Sequence, residues 1–345
     1  MPPLPTLDQI RSLLKEHLRP CIRSILFANA TAEGFANDTS DIDVLLITED
    51  SNSENETYHQ AWFGDKRIDF HAIRSPFLTT SVQRLMLEPL NSRTIVYLHR
   101  IYSALPIDGA AYWSDLIDEM DLEAFRDKVT WFHFNRIHLL IEDLEGNYRE
   151  ADRDSALSNA TLLLACALDA FMASVGKTNP RAKWRVKQLR LLGPDGQWIL
   201  DQFLDLCHGP SMLDARTSLD RYLSRVTQFT HWLQMAVIVH MLNPWNREKG
   251  RLPMRHTFDE AIPRPDFRAV NCLDRAQGSF ALFGMGKPKK IDLPNTMACL
   301  GAVSGVGQHQ LEEMVIAAAQ SQGREASAVA AKLIERWQPD AALSR

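Results

Sequence analysis

The sequence predicts an α+β protein. It should open with a small mixed sheet and flanking helices, continue into a helical bundle domain, and close with a small helical module of the winged-helix kind. Three observations carry this. Apolar runs of strand length alternate with helical patterns over residues 1–112. Long helical periodicity fills 113–245. Residues 246–345 begin with a basic, Pro-containing linker and go on in short apolar stretches broken by glycines. With 345 residues the chain has material for two or three cores.

The elements follow in order. "MPPLPTLDQIRSLLKEHLRP" is a Pro-led start to an amphipathic helix bearing Ile10, Leu13, Leu14 and Leu18. It lacks the apolar core and cleavage site of a secretory signal. Residues 24–27 read as a short strand, then a small-residue turn, then the strand 42–48. A polar loop at 51–57 leads to a hairpin, "HQAWF" and "RIDFHAI", around Gly64-Asp65-Lys66. A helix over 79–90 follows, and "RTIVYLHRIYSAL" reads as another strand. "DLEAFRDKVTWFHFNRIHLLIEDLEG" and "DRDSALSNATLLLACALDAFMASVG" are long helices, each ending at a Gly suited to a C-cap. "SLDRYLSRVTQFTHWLQMAVIVHML" is a third.

"TLLLACALDAFMASV", interrupted by Asp169, and "MAVIVHML" are too short to cross a bilayer, so no membrane partner is expected. After the linker at 243–256 come two or three short helices, expected to cap the site or dock a protein. "QHQLEEMVIAAAQ" is acidic and apolar, which argues against a DNA-recognition helix. The formal net charge of -5 removes any global pull toward nucleic acid or anionic lipid. Cys21, Cys166, Cys207, Cys272 and Cys299 are odd in number, with no pair at metal-ligand spacing. They read as reduced thiols of a cytoplasmic protein.

The chemistry concentrates in "NATAEGFANDTSDIDVLLI", residues 29–47. Asp41 and Asp43 flank Ile42 at the start of an apolar strand. At that spacing both side chains point to one face, where the carboxylates would repel. Something positive should lie between them. Asp69 shares a face with His71 in "KRIDFHAI" and reaches the same edge if the two strands are neighbours. Three carboxylates at one point cannot all ionise without a cation. Oxygen-only ligands suit Mg²⁺, which supports phosphoryl or nucleotidyl transfer. The bland reading is a solvated strand start for the first two acids and a plain hairpin acid for Asp69. His71 reads first as a packed strand histidine.

A second informative stretch is "GKTNPRAKWRVKQLRLLG", with Lys177, Arg181, Lys183, Arg185, Lys187 and Arg190 and no acid among them. A solubilising face normally mixes signs, and Trp184 inside the run can pack under a base or a guanidinium. Lys183 and Lys187, one helical turn apart, are the leading candidates for binding phosphate or substrate. A solvated helix face is the alternative.

Around residues 22–75 the chain resembles the nucleotidyltransferase superfamily that includes aminoglycoside and minimal nucleotidyltransferases. The resemblance rests on the Ala-x-Gly turn (Ala32, Glu33, Gly34), the Ser-Asp-Ile-Asp core (Ser40 to Asp43) and Asp69 on a later strand. It implies a nucleotidyltransferase-like mixed sheet, with Asp41, Asp43 and Asp69 as catalytic metal ligands and Asp69 as a candidate general base. It also implies a phosphate-contacting turn made by Asn29, Ala30, Thr31, Gly34 and Ser40. The chain departs from the pattern where the family has Gly-Ser: here stand Asn29 and Ala30. Asn29 can donate from its amide and Thr31 from its hydroxyl; the Ala30 side chain cannot. The implied reaction is Mg²⁺-dependent transfer of a nucleoside monophosphate from an NTP to an acceptor hydroxyl, releasing pyrophosphate. The lack of a strongly basic groove favours a small-molecule or protein acceptor over a tRNA end. The competing expectation is a non-catalytic member that binds nucleotide or a partner protein.

Overall fold

The computed structural model describes residues 4–14, 21–49, 55–208, 216–242, 265–284, 287–323 and 325–337. Leu18, part of the loop at 51–57 and the linker at 243–256 lie outside the described residues. The chain divides into two compact units. One comprises Met1–Arg126 with Asn179–Trp184, the other Asp127–Thr178 with Arg185–Arg345.

In the first unit, α1 (Leu7–Leu13) starts at a capping box, in which Thr6 and Gln9 each bond the other's backbone N–H. Then come β1 (Ile22–Phe27), the single turn α2 (Asn29–Ala32), β2 (Ile42–Thr48), and the hairpin β3 (Glu56–Phe63) with β4 (Lys66–Arg74). The helices α3 (Ser75–Leu87) and α4 (Ser92–Tyr102), the strand β5 (Leu105–Asp108) and α5 (Ala110–Asp118) complete it. The five strands form a mixed sheet in the order β3-β4-β2-β1-β5. β2 and β4 are parallel; the other pairs are antiparallel. Alternation sets the faces. Ile25, Phe27, Ile42, Val44, Leu46, Ile68, Phe70 and Ala72 form one apolar face, covered by Ile10 and Leu14. Asp43, Asp69 and His71 therefore lie on the opposite face.

The stretch "RTIVYLHRIYSAL" is not a strand. Most of it is α4, capped by Asn91, whose side chain accepts from the N–H of Arg93 and Thr94 at 3.0 Å each. Its buried residues, Thr94, Ile95, Leu98, His99 and Ile101, repeat at helical spacing. That apolar stripe overrides the β propensity of its branched and aromatic side chains. Only Leu105 enters a strand.

The second unit contains α6 (Leu122–Arg149) from Asp127 onward, α7 (Arg153–Ser174), α8 (Arg185–Arg190), α9 (Gly193–His208) and α10 (Arg216–Leu242). The helix α6 runs through Gly146 instead of ending there. The helix α7 starts at Asp152, which accepts from the Ser155 N–H, and the chain leaves it through Gly176 at φ 82°. Contrary to the reading of its apolar run as too short, α7 has 22 residues and is long and apolar enough to cross a bilayer. Within this unit 61% of its most apolar window is buried, so it serves as a core helix.

The expected C-terminal helices are present as α11 (Leu293–Ser304), α12 (Gln308–Ser321) and α13 (Ala326–Trp337). An antiparallel three-stranded sheet precedes them: β6 (Ala269–Asp274), β7 (Ser279–Phe283) and β8 (Lys289–Asp292). This segment shares one core with the bundle. The reason lies in α10, where Phe229, Trp232, Leu233, Met235, Ala236, Val237 and Ile238 are all fully buried. A helix that is apolar all round must be covered all round. His231 Nε2 and Gln234 Nε2 of α10 bond the carbonyls of Arg268 and Val270. The two compact units part near residue 126, and residues 185–345 belong to one of them.

Candidate active site

The parallel pairing of β2 with β4 sets Asp43 directly opposite Asp69. Asp41 precedes Asp43 by two residues, just before β2, and so joins the same face. The three acids expected to converge are at one end of two adjacent strands. The positive group between them comes from the chain itself. Arg67, two residues before Asp69 and on its face, places Nη2 2.6 Å from Asp41 Oδ2 and 3.0 Å from Asp69 Oδ2. The other oxygen of Asp69 is buried with no partner. Among the described residues no group of three or more His, Cys, Asp or Glu side chains is arranged to hold a metal ion.

A second guanidinium serves Asp43. Arg100 of α4 lies 3.8 Å from Asp43 Oδ1 and 3.1 Å from Nδ1 of His71. Burial pushes the Asp43 carboxyl above the usual carboxylate range. Arg100 and a hydrogen bond from the Asn29 side chain oppose that shift, while Asp41 and Asp69 add to it by repulsion. His71 is 1% exposed, stacked on Tyr58 with ring centroids 4.0 Å apart. Burial, and then Arg100, hold its pKa down at about 3, so it is neutral.

The turn between β1 and β2 differs from the expectation in its details. Asn29 adopts φ 49°, a left-handed conformation that Asn tolerates better than most residues. Its side-chain amide bonds Asp43, which takes one of the two N–H donors that an Asn amide carries. Ala30 contributes its carbonyl, which accepts from the N–H of Phe35 and Ala36 and closes the turn. The Thr31 hydroxyl is buried without a hydrogen-bond partner, so it does not face solvent. Gly34 has φ 71°, which makes the left-handed step that glycine allows. Ser40 and Asn37 bond each other, Asn37 N–H to Oγ at 3.0 Å and Oγ to Asn37 Oδ1 at 2.9 Å. Ser40 therefore shapes the loop that carries Asp41.

The basic run does not form one helical face. Lys183 lies in a 3-10 turn, Ala182–Trp184, that belongs to the first unit; Lys187 lies on α8, in the second. Arg185 is bound to Asp169 through two hydrogen bonds of 2.7 and 2.8 Å, a structural role. The Asn179–Trp184 segment packs on the turn after α2. Trp184 packs against Phe35 with ring centroids 5.5 Å apart and planes tilted by 33°, and Asn179 Nδ2 donates to Glu33 at 2.7 Å. Lys183 Nζ sits 4.7 Å from the centroid of the Trp184 ring. Beside Asp41 is a cavity of about 350 Å³ with Thr39, Trp62, Lys66 and Arg67 in its wall.

Arg67 and Arg100 are the site residues that sequence reasoning missed. The first carried a signal, because it shares strand parity with Asp69. The second was hidden by the reading of α4 as a strand.

No family model and no curated protein matches the chain. Among solved structures it is similar to a nucleotidyltransferase-like protein from Exiguobacterium sibiricum 255-15. The identity is 15%, the TM-score 0.40, and the match covers 68% of this chain and 76% of that one.

Proposed function

We propose that this chain is a nucleotidyltransferase that moves a nucleoside monophosphate from an NTP to a hydroxyl of a small molecule or protein. One observation carries the reading: Asp43 and Asp69 stand in register on parallel strands, with Asp41 beside them on the same face. Their donor chemistry fits Mg²⁺, which takes hard oxygen ligands, and one Asp69 oxygen is buried without a partner. Asp41, Asp43 and Asp69 would hold the ion. When bound, Mg²⁺ supplies charge neutralisation on the phosphates and acidifies the attacking hydroxyl.

The chain's own residues account for the rest. The acceptor oxygen attacks the α-phosphorus, the bond to the β-phosphate oxygen breaks, and pyrophosphate leaves with that electron pair. The acceptor proton goes to the Asp69 carboxylate, acting as general base. Arg100, fixed by His71, keeps positive charge at Asp43. Lys183, on the Ala182–Trp184 turn whose Trp184 packs against Phe35, is a cation available to a polyphosphate.

A second reading is a non-catalytic nucleotide- or protein-binding member. Arg67 favours it, since its guanidinium already neutralises Asp41 and Asp69. Thermal shift with each NTP in the presence and absence of Mg²⁺, followed by a pyrophosphate-release assay, separates the two. Stabilisation that needs both NTP and Mg²⁺, with pyrophosphate released, supports the enzyme. NTP binding that is indifferent to Mg²⁺, with no release, supports the second reading.

A further inference from the structure

We propose that Arg67 is a resident counter-ion that a divalent cation must displace, so that Arg67 sets the affinity of the acid cluster for metal. The inference rests on the nucleotidyltransferase reading of the same site. Three observations lead to it. The Arg67 guanidinium bridges Asp41 and Asp69 across two parallel strands, where a shared cation would sit. One oxygen of Asp69 remains buried and unpartnered, so the guanidinium satisfies the cluster only in part. The Arg67 side chain is 43% exposed, and exposed ion pairs are weak and readily exchanged.

The geometry also gives the displaced side chain a place to go. Arg67 forms part of the wall of the cavity of about 350 Å³, together with Trp62 and Asp65. Trp62 is its antiparallel partner on β3 and is 64% exposed. An indole face and a carboxylate are both favourable neighbours for a guanidinium. Arg100 cannot exchange in the same way. Its side chain is 17% exposed, and it is fixed to the buried His71. The two arginines thus divide the work: Arg67 holds Asp41 and Asp69 together before metal arrives, and Arg100 stays beside Asp43 throughout.

The test is a Mn²⁺ titration of the full chain, followed by the electron paramagnetic resonance signal of free Mn²⁺, for wild type, Arg67→Met and Arg67→Lys. Exchange predicts that Arg67→Met binds Mn²⁺ about tenfold or more tighter than wild type, with Arg67→Lys between them. Thermal melts with and without Mg²⁺ accompany it. Arg67→Met should lose melting temperature without metal and regain more of it than wild type when Mg²⁺ is added. Wild type and Arg67→Met binding Mn²⁺ equally, or Arg67→Met binding more weakly, would overturn the exchange and leave the nucleotidyltransferase reading standing. Binding by Arg67→Met alone would uphold the counter-ion role and remove the catalytic reading of the wild-type chain. Binding by neither would remove both. If Arg67→Met folds only with Mg²⁺, exchange is supported; if it folds under no condition and Arg67→Lys binds Mn²⁺ as wild type does, exchange is wrong.

Discussion

Arg100 donates to Nδ1 of His71 across 3.1 Å, and that pairing fixes the tautomer of the imidazole. A guanidinium has only donors, so Nδ1 accepts and the ring proton resides on Nε2. Nε2, buried without a hydrogen-bond partner, lies 3.5 Å from Glu56 Oε1, which accepts from Tyr97 Oη at 3.1 Å. A line of polar groups thus runs from β3 through β4 and α4 to Asp43 at the start of β2. A protonated His71 would lose its bond from Arg100 and set two cations side by side in a buried place.

His71 should therefore make stability depend on pH in a defined direction. Its pKa is held at about 3, against 6.5 in the unfolded chain, by burial and by Arg100. Below pH 6.5 the unfolded state binds a proton that the native state refuses. The contribution is fully present above that value and is lost as pH falls toward about 3, by up to roughly 1.4 kcal/mol per pH unit. His71→Asn keeps an acceptor for Arg100 and removes the titration. Urea unfolding at pH 7.5, 6 and 5 should show a shallower acid slope for the variant. Parallel slopes for the two proteins would show that His71 is protonated in the native state.

Asp43→Asn separates fold from chemistry. The substitution relieves repulsion from Asp41 and Asp69 and keeps an oxygen for Arg100 and Asn29. The unfolding free energy should stay within about 1 kcal/mol of wild type. Mg²⁺-dependent NTP binding should vanish. Calorimetry with Mg²⁺ and each NTP measures the second outcome, and retained metal-dependent binding would move the metal ligands elsewhere.

The strand residues of the first unit were legible because periodicity and chemistry agreed there. β2 spans the expected residues, the hairpin turns at Gly64, and the alternation around Asp43 and Asp69 put both on one face. Two kinds of information were not local. The helical state of 92–102 depends on burying Ile95, Leu98 and Ile101, and only the Asn91 cap announced it. The use of the Asn29 amide depends on where Asp43 comes to lie, which no spacing records. The C-terminal sheet was missed for a related reason: its strands are 4 to 6 residues long and gain their order from the face of α10.

Asn29 should respond differently to two small substitutions. Asn29→Gly keeps the left-handed backbone at φ 49° and loses the bond to Asp43, a cost of roughly 1.5–3 kcal/mol for a hydrogen bond to a charged group. Asn29→Ala loses the same bond and keeps a Cβ in a left-handed step that Ala tolerates less well than Asn, so it should be the less stable of the two by roughly 1–2 kcal/mol. Chemical denaturation of both variants checks the order. An Ala variant as stable as the Gly variant would mean that the turn relaxes away from its left-handed step.

Lys183 and Trp184 test whether the Asn179–Trp184 segment is part of the site. Trp184 is 7% exposed, packed at a tilt against Phe35 and covered by Lys183, and it holds the segment against the turn after α2. Trp184→Ala should destabilise by about 3–5 kcal/mol, the range for truncating a buried aromatic residue. Trp184→Phe retains a ring against Phe35 and should cost much less. Lys183→Ala leaves that packing largely in place and removes only the charge. If the ammonium meets the polyphosphate as charge develops on the leaving group, turnover should fall at least about tenfold with little change in stability. Lys187→Ala is the comparison, because Lys187 lies on α8 in the other unit. Pyrophosphate release at saturating NTP measures both variants. A fall of less than twofold for Lys183→Ala would assign the lysine to solvent, whereas a drop of similar size for Lys183→Ala and Lys187→Ala would show that the two act together despite belonging to different units.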